Sequence, residues 1–199
     1  MVDYRLDYRT KEQFVESIKH FTLKEKRYFL LWINTHNKGR HKKEISYISW
    51  GNNSNEIVDN IDDSKIFCRP DFLIIRHFDN SWEGKDISPI EVQTCSILYP
   101  DECYIKKSKI DWNFDKTTKD ICTKSCHILF IIGTCSKGSE RYHLFSPDEI
   151  EKIKQNGIKY PECLGKKPCY FFNYSDYKWK SFNNDIFQFS LYDNKWNGY

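Results

Sequence analysis

The sequence predicts a single α/β domain. Two observations carry this prediction: the first forty residues have the apolar spacing of helices, and the run from His127 to Cys135 is continuously apolar over the length of a buried strand. Shorter strand-like segments lie between these regions. A chain of 199 residues buries roughly 70% of its unfolded surface in one core. We therefore expect one domain over residues 1–199.

Two helices are expected in the first forty residues. Thr10 and Thr22 are placed as helix N-caps, each followed within three residues by Glu or Gln in the manner of a capping box. The second helix is expected from Lys24 to Asn37, because Gly39 is a typical helix stop.

Strands with turn residues between them follow the helices. They are expected at residues 45–50, 72–78, 87–97, 127–135 and 141–145. A helical segment is expected between about Cys103 and Lys124, and Ser146-Pro147 opens a further short helix with Pro in its first turn.

Composition excludes some classes of protein. Hydrophobic residues make up 39% of the chain and charged residues 30%, which is typical of a globular domain rather than a disordered chain. No apolar run approaches the ~20 residues of a membrane span, and the first residues lack a secretory signal, so we expect an intracellular protein without a membrane partner. The net charge of +3 is compatible with a polyanionic partner. The absence of alanine, with abundant Lys, Ile and Asn, indicates an AT-rich genome, as in a virus, a parasite or a reduced bacterium.

Eight cysteines are many for an intracellular chain of this length. No CxxC pair is present, so a zinc ribbon or finger is poorly supported. Buried small side chains, disulfides in an oxidising or hyperthermophilic setting, and metal ligands all remain open. Cys122, Cys126 and His127 come closest to a ligand cluster.

Three polar residues stand on two otherwise apolar segments. Asp71 follows Pro70 and begins one strand, and Glu91 and Gln93 lie two apart on the next. If these strands pair as an antiparallel hairpin with Asp71 opposite Gln93, all three side chains project from one face. Glu91 would suffer a desolvation penalty in such a strand unless a cation or a hydrogen bond compensates it. Two carboxylates and a backbone carbonyl are a sufficient set of protein ligands for Mg²⁺.

These residues and the order of the predicted elements resemble the PD-(D/E)xK nuclease superfamily over roughly residues 10–155. The resemblance implies a restriction endonuclease-like fold, with a mixed central sheet flanked by helices. It also implies hydrolysis of phosphodiester bonds, in DNA more than in RNA, with Mg²⁺ as the cofactor and Mn²⁺ as a substitute. Members that cut duplexes often act as dimers, so a homodimer is possible.

The family pattern assigns roles to this chain residue by residue. Asp71 and Glu91 would bind the metal together with the Val92 carbonyl. Gln93 stands where most members have a catalytic Lys, although some restriction enzymes also carry Glu-x-Gln. In members whose Lys has migrated, it reaches back from elsewhere, and Lys106, Lys107 and Lys109 are the candidates; we assign this role to Lys107. A further metal-binding Glu from an upstream element is expected among Glu16, Glu44 and Glu56, with Glu44 favoured because it borders the strand before Asp71.

A basic segment at residues 36–43 is interpreted as either a solvated connector or a loop that contacts phosphates. Its candidate nucleic-acid-binding residues are Lys38, Arg40, His41, Lys42 and Lys43. The aromatic segment from Tyr170 to Tyr199 could stack on bases, but packing on the core or at a dimer interface is the more common use.

Two other functions remain open at this point. A chain with Gln in place of the catalytic Lys could be a nucleic-acid-binding or interaction protein that has lost its chemistry on a nuclease-like fold. The chain could also be an unrelated α/β domain in which the Pro-Asp and Glu-x-Gln segments are structural.

Overall fold

The structure is a computed structural model that describes residues 24–36, 45–50, 70–77, 85–112, 114, 116–134 and 138–182. The helices are α1 at residues 24–36, α2 (Lys116–Ile121) and α3 (Pro147–Gln155). The strands are β1 (Ile45–Ser49), β2 (Phe72–His77), β3 (Lys85–Cys95), β4 (Glu102–Lys106), β5 (His127–Ile132), β6 (Arg141–Phe145), β7 (Ile158–Lys159), β8 (Cys169–Asn173) and β9 (Lys180–Ser181). None of the helices in these residues is both long and apolar enough to span a bilayer.

Two sheets form the framework. The larger has six strands in the order β1-β2-β3-β5-β6-β9, and the smaller has three in the order β4-β8-β7. All neighbouring strands run antiparallel except β3 and β5, which are parallel. The expected α/β class is therefore confirmed, as is a mixed sheet.

The two faces of the six-stranded sheet pack against different elements, because side chains alternate along each strand. On one face, Phe72 and Val92 join a core with α1, in which the Phe29 ring stacks on Phe72 with centroids 3.9 Å apart. On the other face, Phe130 belongs to a second core with α3 and the smaller sheet, which contributes Phe172. Glu91 and Gln93 point toward this second side.

Most elements predicted from sequence periodicity are confirmed. The helix at residues 24–36 and the strands β1, β2, β3, β5 and β6 lie where expected. Ser146 caps α3 with a complete capping box. The N-cap Thr22 and the whole first predicted helix, with Thr10, lie outside the described residues.

The predicted helical segment between about Cys103 and Lys124 is confirmed only in its second half. Residues 102–106 form strand β4, a 3-10 turn covers Lys107–Lys109, and only Lys116–Ile121 is α-helical. The physical reason is the alternation of the segment, in which Cys103 and Ile105 are buried while their neighbours are not.

The described part of the aromatic tail packs on the core. Tyr170, Phe172 and Phe182 are all buried, and residues 183–199 lie outside the described part. The cysteines in the described residues are free thiols, of which Cys103, Cys126 and Cys169 are buried. Within the same residues, no three His, Cys, Asp or Glu side chains are placed together to hold a metal.

Replacement of Ser146 by Ala should destabilise the protein. The Ser146 hydroxyl accepts a hydrogen bond from the Glu149 backbone N–H, and the Glu149 carboxylate accepts one from the Ser146 N–H at 2.8 Å. We expect a loss of about 1 kcal/mol in the free energy of unfolding by urea. The same change at exposed Ser96 is the control, and equal effects of the two changes would contradict the role of the cap.

Candidate active site

Asp71 and Glu91 meet at the end of the β2–β3 pairing. Phe72 is paired with Ile90, so one step beyond this pair places Asp71 across from Glu91. The predicted register, with Asp71 opposite Gln93, is wrong by two residues. Because a shift of two residues preserves the face of a strand, the side chains still project to the same side.

Lys109 joins the two carboxylates. Its Nζ lies 2.7 Å from Asp71 Oδ2 and 2.6 Å from Glu91 Oε2. Glu91 is only 5% exposed, so this contact compensates a carboxylate that has almost no access to water. The two carboxylates therefore converge on a single cationic group.

Lys109, rather than Lys107, is the lysine that reaches the site. Both lie in the 3-10 turn that follows β4. The ammonium of Lys107 forms an ion pair with Asp111, four residues along the chain. The assignment of the catalytic role to Lys107 is therefore not supported by its position.

The backbone of Val92 also faces the site. Its N–H donates to Asp71 Oδ2 at 2.8 Å. In an extended strand the N–H and C=O of one residue point to the same side. The Val92 carbonyl is thus directed to the edge where Asp71 lies, beyond the last β2–β3 pair, as the proposed ligand role requires.

Gln93 has a structural partner. Its Nε2 donates to the Tyr104 carbonyl at 2.7 Å, and its Oε1 accepts from the Lys106 backbone N–H at 3.3 Å. Both partners lie in β4, so Gln93 holds the smaller sheet against the larger one. It contacts neither carboxylate through these bonds.

Glu25 of α1 is a site residue that the sequence analysis missed. Burial raises its pKa to about 7, with Asp71 contributing in the same direction, while the charges of Lys109 and Lys106 act in the opposite one. These electrostatic partners place its carboxylate beside the site. In the sequence it carries only one signal, an acidic residue at the start of the helix before the sheet, and this position is also explained by capping.

The pKa values of Asp71, Glu91 and Lys109 depend on one another's charges. Burial alone would raise the pKa of Asp71, but the Lys109 ammonium and the hydrogen bonds from Lys109 and Val92 hold it below the ordinary value. Burial, together with the charge of Asp71, raises the pKa of Glu91 well above its usual range. Burial would lower the pKa of Lys109, but Glu91, Asp71 and Glu25 outweigh it and raise this pKa well above its usual range. The Lys109 ammonium therefore stays protonated in contact with Asp71 and Glu91.

Other predicted site residues lie outside the described part of the chain. They are Glu44, the alternatives Glu16 and Glu56, and the basic residues Lys38, Arg40, His41, Lys42 and Lys43. Their roles stay predictions.

Comparisons with models of protein families, with characterised proteins and with solved structures give no match to this chain.

Replacement of Lys109 by Met should destabilise the protein in a pH-dependent way. The change leaves Asp71 and Glu91 facing each other without a cation, which costs about 3 kcal/mol for a largely buried pair. The loss should be smaller at pH 5 than at pH 8. A raised folded-state pKa means that the folded protein takes up a proton that the unfolded chain has released, so low pH relieves the repulsion.

Urea unfolding at both pH values measures this effect, with Lys107→Met as the matched control from the same turn. Equal losses in the two variants, or a larger loss for Lys109→Met at pH 5, would refute the buried ion pair.

Replacement of Glu25 by Gln should make the protein more stable at alkaline pH. The folded-state pKa of about 7 lies above the unfolded value of 4.5, so the wild type loses stability as pH rises between them. Glu25→Gln should remove this loss, giving an advantage of about 2 kcal/mol at pH 8 and none at pH 4. Unfolding curves at several pH values measure it, with exposed Glu162→Gln as the control. Parallel stability profiles for wild type and Glu25→Gln would contradict the prediction.

Proposed function

We propose that the chain is a metal-dependent nuclease that hydrolyses phosphodiester bonds, in DNA rather than RNA, with Mg²⁺ as its cofactor. The observation that carries this proposal is the convergence of the Asp71 and Glu91 carboxylates on one cationic group, 2.7 and 2.6 Å away. An isolated structural ion pair needs one carboxylate, whereas this site supplies two.

The architecture supports the finer fold assignment within the PD-(D/E)xK nucleases. Helix α1 precedes three antiparallel strands, β1 to β3, and α2 leads to β5, which lies parallel to β3. This order agrees with the one that the resemblance implies. The β4 strand and its 3-10 turn are inserted between β3 and α2, and they carry Lys109.

The donor set fits magnesium. Asp71 and Glu91 would hold the ion, together with the Val92 carbonyl that points to the same edge. Oxygen ligands of this kind and number are what Mg²⁺ takes from proteins, the remainder being water. Burial raises the pKa of Glu91 and Glu25, which means that the negative charge of these carboxylates is not fully compensated. A divalent cation would supply the missing positive charge. When bound, Mg²⁺ would supply an activated water and neutralise charge on the phosphate.

We assign to Lys109 the role of the catalytic Lys, which Gln93 cannot perform because its amide carries no charge. Its pKa lies well above the usual range, so it is a hydrogen-bond donor and a fixed positive charge rather than a base. A donor of this kind stabilises the negative charge that develops on a phosphate oxygen. Glu25, whose pKa burial raises to about 7, is our candidate to accept the proton of the attacking water near neutral pH.

A second candidate is a nucleic-acid-binding protein without nuclease activity. The observation that favours it is the same ion pair, because the Lys109 ammonium donates hydrogen bonds to both Asp71 and Glu91. A protein of this kind would bind nucleic acid and leave the phosphodiester intact.

Metal titration and cleavage separate the two candidates. Mn²⁺ affinity, measured by calorimetry, should fall at least about 10-fold in Asp71→Asn and Glu91→Gln because each removes a charged ligand. Lys109→Met should retain metal binding but lose about 10²- to 10³-fold in cleavage rate, because it removes one donor to the transition state. The substrates are duplex, single-stranded and branched DNA, and RNA, each with Mg²⁺ and Mn²⁺.

Lys107→Met is the control and should cleave like the wild type. Metal binding without cleavage of any substrate would favour the second candidate. Absence of metal binding in the wild type, or wild-type cleavage by Lys109→Met, would overturn the proposed site.

A further inference from the structure

A cleft of about 660 Å³ opens beside the candidate active site. Pro89 of β3 and Cys126 line it on the side of the large sheet, and Ile110 lines it next to the 3-10 turn. Helices α2 and α3 contribute the opposite walls. The cleft therefore lies between the large sheet and the two short helices, with the insertion at one end.

Residues that line the cleft lie next to site residues on the same strand and turn. Pro89 precedes Glu91 by two residues and projects from the same face of β3, and Ile110 directly follows Lys109. Cys126 directly precedes His127, which pairs with Ile90 beside Glu91, so this wall also adjoins the site. A ligand that spans cleft and site needs no long linker.

The cleft carries an aromatic surface. The rings of Trp112 and Phe114 stack with centroids 5.7 Å apart and an interplanar angle of 19°, and both residues are only partly buried. The indole Nε1–H of Trp112 is buried without a hydrogen-bond partner, which is uncommon for a buried donor. Flat aromatic surfaces of this kind bind nucleobases by stacking, with little dependence on sequence.

The charges around the cleft are balanced. Lys119, Lys124 and Lys154 face Asp111, Asp148 and Glu151. Lys154 lies 2.7 Å from Glu151 and 4.0 Å from Asp111, so part of this charge is neutralised within the wall. A polyanion gains little from such a lining. A neutral heterocycle with hydrogen-bonding edges gains both stacking and polar partners.

We propose that this cleft binds a nucleobase of the substrate strand, next to the phosphate that is cleaved at Asp71 and Glu91. The proposal rests on the nuclease function and adds that the substrate presents an unpaired base. A cleft of this volume falls within the roughly 300–1,000 Å³ of small-ligand sites. A base can enter it only when it is unpaired or turned out of the duplex. The preferred substrate is therefore single-stranded or locally distorted DNA.

A scan with abasic nucleotides tests the proposal. Single-stranded DNA carries one abasic position at a time on either side of the cleaved bond, and kcat/KM is measured for each. At one position near the cleaved bond, the wild type should lose about 10-fold or more. Phe114→Ala should lose a similar factor on the intact strand and nothing further at that position. The control is Tyr160→Ala, which removes an exposed aromatic that does not line the cleft and should behave like the wild type.

A second variant guards against misfolding of Phe114→Ala. Ser125 is exposed and lines the cleft, so Ser125→Leu narrows it without adding a stacking surface. It should reduce the abasic effect in the same way. Equal sensitivity to the abasic position in wild type and both variants, or no sensitive position in the wild type, overturns the base site.

Binding of free nucleosides distinguishes failure of the cleft from failure of the nuclease. Adenosine, guanosine, cytidine and thymidine are titrated in turn without metal, with ligand-observed NMR as the readout. Binding that is weakened in Phe114→Ala and kept in Tyr160→Ala supports the cleft even if no DNA is cleaved, in which case only the nuclease proposal fails. Cleavage without an abasic effect and without nucleoside binding leaves the nuclease standing and removes the base site.

Discussion

The buried carboxylate of Glu91 is the constraint on which the site depends. It lies between Ile90 and Val92 on a central strand, where water cannot stabilise its charge. The Lys109 ammonium compensates this charge from the 3-10 turn that follows β4 of the smaller sheet. The contact therefore requires that β4, its turn and the end of β3 keep one relative position. This fixed position holds the ammonium and the two carboxylates in one geometry. The proposed phosphodiester hydrolysis would need such a rigid site.

Gln93 contributes to the site through the strand that it holds, rather than through contacts of its own with the carboxylates. The residue two places after Glu91 shares its face and would point a Lys at the site. Here its amide binds the backbone of Tyr104 and Lys106 instead. These bonds fix β4 three residues before Lys109. The Gln93 amide thus holds the strand from which Lys109 reaches the two carboxylates.

The sequence predicted the parts of this arrangement that are local. Alternation placed Asp71, Glu91 and Gln93 on one face, but it could not set the register, because a shift of two residues leaves every face unchanged. Lys109 was not singled out because β4 was predicted as a helix, and the direction of a side chain in its turn follows from β4. Glu25 was hidden by a second explanation, capping, which is sufficient for an acidic residue in a first turn. The cleft is formed by four separate segments, and no local sequence pattern predicts that these segments come together.

The position of the site follows from where β2 ends. Strand β3 continues for five residues beyond its last pair with β2, so the edge from Glu91 onward lacks that neighbour. Asp71 lies at this break, where its carboxylate accepts the Val92 N–H that a longer β2 would have bound. The Val92 carbonyl points to the same edge, so the backbone of this one residue holds the Asp71 carboxylate and also presents the oxygen that we propose as a metal ligand. Two further residue pairs between β2 and β3 would bring Pro70 opposite Val92, so that a backbone carbonyl would take the Val92 N–H. The Asp71 carboxylate accepts it because β2 begins at Phe72.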